Sequence, residues 1–432
     1  MSVVQNIVDA IVSPGLSDQQ KAFFDRIESS NEHFFVTGKA GTGKSHLLAY
    51  LKKHSKKNLV VAAPTGVAAI VVGGQTIHSL FKLPPALLDQ EHIPVDPRTR
   101  KLLSVVELIV LDEISMVRAD LMDAIDQVMR LAKKNRLPFG GAQVVMFGDP
   151  YQLPPIVMDE SHIRHFADVY GGAYFFHAHG WKQSEFVTLE LDTIFRQKDS
   201  ELVELLNAIR SGVANEEHLQ YLNRRVGLSE EDERVLTLAT TNRRAMQINN
   251  YFLNQLGGTA KTYQAKVTGK IDPKAYPAEE NLLLKAGAQV MLLKNDKDKR
   301  WVNGSIGKII SLGEKVIVVQ IDGIEYEVGK ETWNRIRFVV NKETGKIEEE
   351  IISTFMQAPL RLAWAVTIHK SQGQTFDRVN IDLERGAFAH GQTYVALSRC
   401  KTLQGISLVR AVEQRDIIVD PTVVAFMQRV LP

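Results

Sequence analysis

Eight consecutive residues, Gly38-Lys39-Ala40-Gly41-Thr42-Gly43-Lys44-Ser45, carry the spacing G-x-x-x-x-G-K-S. Glycines Gly38, Gly41 and Gly43 allow the backbone N–H groups of Ala40, Thr42 and their neighbours to close around phosphate oxygens. A helix opening at Lys44 adds the partial positive charge of its N-terminus. Lys44 is placed to reach β- and γ-phosphates, and the Ser45 hydroxyl to ligate Mg²⁺. The flanks supply the context the motif needs. Phe34-Phe35-Val36 reads as a buried strand, and Leu47, Leu48 and Leu51 as one face of the following helix. These residues imply a nucleoside triphosphate as substrate.

Acids suited to the same chemistry follow a second apolar run, Leu108-Ile109-Val110-Leu111. Asp112 is a candidate Mg²⁺ ligand, directly or through water, and Glu113 a candidate to polarise the attacking water. A third run, Gln143 to Phe147, empties into Gly148-Asp149-Pro150-Tyr151-Gln152. Gln152 there can hydrogen-bond the γ-phosphate or its water. Phe195-Arg196-Gln197 and Ala396-Leu397-Ser398-Arg399 each offer an arginine able to reach the γ-phosphate across a cleft. An arginine supplied this way is worth roughly 10³ to 10⁵ in turnover.

The elements that must position these groups are short apolar runs with polar residues at their C-terminal ends, alternating with helical stretches. That is the pattern of a doubly wound parallel sheet whose ligand lies beyond the strand ends. With 432 residues, 44% hydrophobic and 24% charged, the chain has length for two or three domains of ordinary globular composition. A net charge of +2 permits a local basic groove without announcing one. One cysteine, Cys400, excludes a disulfide framework and fits a reducing, cytoplasmic setting. No apolar run approaches the roughly 18 residues of a membrane helix. The first dozen residues lack Lys and Arg, so neither a signal nor a transit peptide is expected. Between residues 266 and 353, closely spaced β-branched runs separated by Gly, Asn and Asp predict a small β-barrel. Parallel-sheet texture returns after it, so the barrel is expected as an insertion.

Taken together, these motifs resemble the DNA helicases of superfamily one. Most similar are the petite-integration-frequency helicases, in the branch that holds RecD-like and Dda-like enzymes. Ala63-Pro64-Thr65-Gly66 with Gly74-Gln75-Thr76-Ile77-His78-Ser79 is similar to that family's first DNA-contacting motifs. The stretch Leu121 to Pro155 resembles its signature between the second and third motifs. Thr367-Ile368-His369-Lys370-Ser371-Gln372-Gly373 and Tyr394 to Arg399 resemble its fifth and sixth. The resemblance covers residues 16 to 410 and implies an α/β architecture of two RecA-like motor domains with ATP and Mg²⁺ between them. The expected division is 1–190 for the first motor and 191–265 with 354–432 for the second. A wedge insertion is expected at 83–103 and an SH3-like barrel at 266–353. It further implies single-stranded and forked DNA as partners, 5′-to-3′ movement, and a monomer from a bacterium or phage. A minimal version is expected by the same resemblance, without the long N-terminal region of the family's eukaryotic members.

By the same resemblance Gln20 reads adenine and Gly373 contacts nucleotide. The DNA side is partly legible without it. Pro64, Thr65, Gly66, Thr76, His78, Thr367, His369, Lys370 and Ser371 bring hydroxyl, imidazole, ammonium and backbone groups to loops and helix starts, where such groups hold phosphates. Asn242 and Asn303 join them by resemblance alone. Four prolines between Leu83 and Arg100 exclude a long helix and favour a stiff excursion near an arriving duplex. Two other readings stand beside this one: a RecD-like end-processing helicase, and a nucleotide-dependent switch ATPase that binds no nucleic acid.

Overall fold

A computed structural model describes residues 15–88, 93, 95–157, 159–197, 199–228 and 235–431. The first fourteen residues and part of the expected wedge lie outside these. Six strands build the first sheet: β1 (His33–Gly38), β2 (Leu59–Ala63), β3 (Gln75–Thr76), β4 (Leu108–Leu111), β5 (Gln143–Phe147) and β6 (Phe186–Leu191). All pair in parallel, in the order β3-β2-β4-β5-β1-β6. Every residue of β4 and β5 is buried, because helices cover both faces. Strand order reverses around β1, which puts the glycine-rich loop at the switch point of the sheet. Helix Ala119–Lys133 covers one face, with Met122, Ile125 and Met129 fully buried.

The second sheet begins at β7 (Leu236–Ala239), followed by helix Asn242–Gln255. The chain then leaves it for an antiparallel region. That region holds β8 (Lys261–Gln264), β9 (Lys266–Thr268), β10 (Asn281–Leu284), β11 (Gln289–Leu292), β12 (Ile306–Leu312), β13 (Val316–Ile321) and β14 (Ile324–Gly329). It continues with β15 (Glu331–Val340), β16 (Ile347–Gln357) and β17 (Leu360–Leu362). The chain returns to the parallel sheet with β18 (Ala365–Thr367), β19 (Val379–Asp382) and β20 (Ile406–Leu408), ordered β18-β7-β19-β20. An insertion inside a second α/β unit is therefore the observed connectivity.

Two features differ from the sequence reading. The antiparallel region forms separate sheets: five strands β14-β13-β12-β11-β17, a second sheet β15-β16-β9, and the pair β10-β8. The long β15–β16 hairpin does not close onto the five-stranded sheet. It lies on the first motor, where Ile336 and Phe338 are buried in the same core as Leu102 and Met122. Alternation along β15 explains this, since Trp333, Ile336 and Phe338 face inward with a bulge at Arg335/Ile336 correcting the register. Second, helix Pro421–Val430 was grouped by sequence with the second motor, yet its buried residues Val423, Phe426 and Met427 lie in the first core. Phe426 stacks on Phe176 at 4.1 Å. No described helix is long and apolar enough to cross a membrane.

The described residues of the segment expected to be a wedge are anchored to the first unit. Leu83 and Leu88 are buried in the first core, and the Leu88 N–H donates to Asp120 Oδ2 at 3.1 Å. Arg118 pairs with Asp120 at 2.7 Å and also donates to the Ala86 carbonyl at 2.8 Å. Asp96 then caps helix Pro97–Ser104, with Pro97 at its first turn as its missing N–H permits.

Candidate active site

The loop after β1 takes its shape from glycine. Gly41 and Gly43 have φ of +86° and +83°. A Cβ on Gly41 would lie 2.4 Å from the Arg196 Cβ, and one on Gly43 would lie 2.5 Å from the Gln20 amide. Both positions need φ > 0 and close approach, so only glycine serves. Gly43 caps helix Lys44–His54, and Lys44 Nζ donates to the carbonyls of Gly38 at 2.6 Å and Lys39 at 2.9 Å. Burial pushes the Lys44 ammonium down to about 8, although the Asp149 and Glu113 charges pull the other way. Gln20, expected from the resemblance to read adenine, is buried beside this loop. It completes a capping box with Ser17 and donates to the Gly43 carbonyl at 3.1 Å. A buried Gln20 thus ties the N-terminal helix to the loop. Phe195, whose N–H donates to the Gly41 carbonyl at 2.9 Å, stands 55% exposed beside Gly43.

Asp112 and Glu113 leave the end of β4 together. Burial and the adjacent Glu113 charge push the Asp112 carboxyl up to about 7, while the Glu113 N–H and Lys44 offset part of this. Burial also raises Glu113, against the charges of Lys44 and Arg399. Glu113 sits at φ +48°, an uncommon conformation for a residue with a side chain. It turns the carboxylate toward the second unit, where Gln372 Nε2 donates to Glu113 Oε2 at 2.9 Å.

The cleft brings together the remaining predicted groups. Gln152 Oε1 accepts from the same Gln372 at 3.3 Å. Arg196 donates to the carbonyls of Ser398 at 3.3 Å and Gly373 at 3.5 Å. Arg399 is 1% exposed and has no carboxylate partner among the described residues. Its guanidinium donates to the Val395 and Gln374 carbonyls at 2.9 and 3.3 Å and to the Ser398 hydroxyl at 2.7 Å. Burial, then the neighbouring Arg196 charge, works against its proton. A planar cation enclosed by neutral acceptors is suited to an incoming anion.

Sequence reasoning missed four groups here. Gln372 bridges Glu113 and Gln152. Gln197, 5% exposed, donates to the Ser398 and Cys400 carbonyls at 3.0 and 3.1 Å. The Tyr394 hydroxyl accepts from the Ala40 N–H of the phosphate loop at 3.0 Å, and burial raises its pKa to about 12. Arg210 pairs with Asp149 at 2.9 Å. Gln197, Gln372 and Tyr394 stand inside motifs named above, and Asp149 lies just before Gln152. A lone arginine closing a helix gave no signal.

Most of the expected nucleic-acid residues lie at the C-terminal strand ends of the two parallel sheets, Asn303 lies in the antiparallel insertion, and several of the polar side chains are already engaged. Thr65, Thr76 and Thr367 accept from the N–H groups of Ala68, Ser79 and Lys370, each at 3.2 or 3.3 Å. Each hydroxyl keeps its own proton to donate. His78 Nδ1 lies 3.3 Å from the Leu83 carbonyl, and burial lowers its pKa. Burial does the same for His369. Ser371 is fully buried, and its hydroxyl donates to the Ile368 carbonyl at 2.8 Å, which helps to shape the turn. Gly66 faces Ala275, which a Cβ would meet at 3.0 Å. Pro64 and Asn303 are half-buried, while Asn242 and Lys370 are exposed.

Comparison with known proteins agrees with this geometry. Residues 15–219 match the family model described as PIF1-like helicase. The "ATP-dependent DNA helicase Pif1" of Bdellovibrio bacteriovorus is 33% identical over 425 residues, covering 96% of this chain and 92% of that protein. The chain spans about three fifths of the length of the mammalian relatives it matches, 63% for the rat protein and 61% for the human one. Among solved structures, Bacteroides sp Pif1 in complex with ADP-AlF4 superposes with a TM-score of 0.90 at 36% identity, covering 96% of this chain and 97% of that one. The same Bacteroides protein bound to ssDNA matches over the same share with a TM-score of 0.70. Identity of this order along almost the whole chain, with the phosphate loop, paired acids and facing arginines in place, makes this protein a member of the PIF1-like helicase family.

Proposed function

We propose that this protein is an ATP-dependent DNA helicase that moves 5′-to-3′ along single-stranded DNA and opens duplex or structured DNA during replication, repair or recombination. The observation that carries the reading is the shared cleft. Lys44, Glu113 and Gln152 from the first unit meet Gln372, Arg196 and Arg399 from the second, so hydrolysis and the relation between the units depend on the same atoms. Closing such a cleft around ATP completes the site, and hydrolysis releases it. The strand-end loops of both sheets then grip the backbone in alternation. Opening a base pair costs about 1.4 kcal/mol in stacking on average, within reach of one nucleotide cycle.

Mg²⁺ fits the residues present. Two adjacent half-buried acids, Asp112 pushed up to about 7, would be relieved by a divalent cation. Asp112 and the exposed Ser45 hydroxyl would hold it, leaving its other positions to water and phosphate oxygens. When bound, it neutralises phosphate charge. We place the first motor at residues 1–190 and the second at 191–265 with 354–420, and assign helix 421–430 to the first on its packing. A cytoplasmic location and a monomeric state belong to the same proposal.

The test is ATP hydrolysis with and without a short single-stranded oligonucleotide, followed by unwinding of a duplex with a 5′ tail. Strong stimulation and unwinding from that tail are expected. A rate indifferent to DNA would remove the helicase reading in favour of a switch ATPase.

A further inference from the structure

The turn after β5 is tied to the second unit by a buried ion pair whose arginine lies outside every motif named above. Arg210 closes helix Ser200–Arg210, and its Nη2 and Nε donate to Asp149 Oδ1 and Oδ2 at 2.9 and 3.4 Å. Asp149 is 1% exposed and Arg210 is 8% exposed. The guanidinium lies over the Tyr151 ring at 4.1 Å. Asp149 Oδ2 also accepts from Gln152 Nε2 at 3.4 Å. Gln152 therefore has its amide nitrogen toward Asp149 and its carbonyl oxygen toward Gln372. A carboxamide held at both ends has one orientation, and Arg210 holds the carboxylate that sets it. Burying such a pair is expensive and adds little net stability. Packing alone does not account for it.

We propose that Arg210 is a positioning residue for hydrolysis: through Asp149 it fixes the Gln152 carboxamide toward the γ-phosphate, and it makes that turn follow helix Ser200–Arg210. The inference rests on the assignment of Gln152 to the γ-phosphate in the proposed function. The guanidinium shape matters as well as its charge. Two nitrogens reach one carboxylate while the plane stacks on Tyr151, which an ammonium cannot reproduce.

The experiment measures kcat and KM for ATP in R210Q, R210K and the double variant D149N/R210Q, in the full chain. R210Q is expected to lose about a hundredfold in kcat, the scale of a small misplacement at a reacting centre. Its KM should move little, and R210K should recover only part of the loss. A pH profile separates positioning from mere support. Arg210, Lys44, Glu113, Tyr151, Tyr394 and His390 all act electrostatically on Asp149. Burial raises the Asp149 carboxyl, and Arg210 ahead of Lys44 keeps it below the usual range. Without Arg210 it protonates at higher pH, so R210Q should lose turnover on the acid side at a higher pH than wild type. D149N/R210Q should lack that shift, and if R210Q does not fold, the double variant's kcat, expected to be low, is read instead. Wild-type kcat in either variant, or a loss confined to KM or thermal stability, overturns the proposal. Hydrolysis without DNA serves the same test, so a rate indifferent to DNA would sink the helicase reading and leave this one standing.

Discussion

At the scale of single residues, the two arginines that face each other in the cleft should behave differently. Arg196 is half-buried and held by two long carbonyl contacts. Arg196→Ala should cost roughly 10³ to 10⁵ in turnover with the thermal midpoint nearly unchanged. Arg399 fills a fully buried site, and Arg399→Ala strands several carbonyls, so it should lower the melting temperature as well as kcat. Equal losses in nucleotide affinity and turnover would instead mark either arginine as a ground-state ligand. Glu113→Gln keeps an oxygen for the Gln372 contact but cannot polarise water. It should retain ATP binding while kcat falls about 10²- to 10⁴-fold, and normal turnover would make Glu113 an ordinary acid. Lys44 adds a pH dependence. Its free-enzyme pKa is lowered to about 8, so the charge that recruits phosphate is present below pH 8 and fades above it. kcat/KM for ATP should fall as pH rises through that value, whereas kcat should hold to higher pH because bound phosphates retain the proton. These roles were legible because each catalytic group stands at a fixed spacing in a strand–loop–helix unit. Arg210 was not, since its partner Asp149 lies far away in sequence and only folding brings them together.

At the scale of elements, the described residues of the 83–103 segment and the β15–β16 hairpin pack into one core. Leu88 is part of the first core and Asp96 caps the next helix, so replacing Pro84 to Asp96 by a Gly-Ser linker removes contacts that hold the first unit together. That replacement should therefore reduce stability along with both activities. The cleaner probe is the hairpin face. Ile336, 4% exposed, lies between β15 and the first motor, so Ile336→Ala should destabilise by about 2–5 kcal/mol in thermal or denaturant unfolding. A change below about 0.5 kcal/mol would mean that the hairpin rests loosely on that surface. Two polar contacts accompany this packing. Lys52 at the end of the phosphate-loop helix pairs with Glu349 at 2.9 Å, and Arg335 donates to the Ser79 hydroxyl at 3.3 Å. The alternation that buries Ile336 and Phe338 was readable in sequence. Which surface it faces was not, because a strand pattern names an inward side without naming the partner.

At the scale of the whole molecule, a net charge of +2 leaves nucleic-acid binding to local groups at strand ends. Because the groups proposed to contact DNA meet phosphate and sugar, affinity for single strands should fall steeply with salt, with a log–log slope of about −0.7 per phosphate neutralised. Equal-length oligonucleotides without secondary structure should bind alike. A strong preference for one base sequence in a binding titration would contradict backbone recognition. Sequence by itself determined the nucleotide chemistry, the parallel-sheet class of both motors and the presence of an insertion. Those properties are written locally, in glycines that alone tolerate φ > 0 and in apolar runs short enough to be buried strands. Tertiary structure decided what local pattern cannot encode. It set the C-terminal helix into the first core, buried Ser371, engaged Gln20 with Gly43, and paired Arg210 with Asp149. Each outcome depends on which surfaces meet, and burial, not residue type, then fixes whether a polar group is left free to act or must satisfy a neighbour.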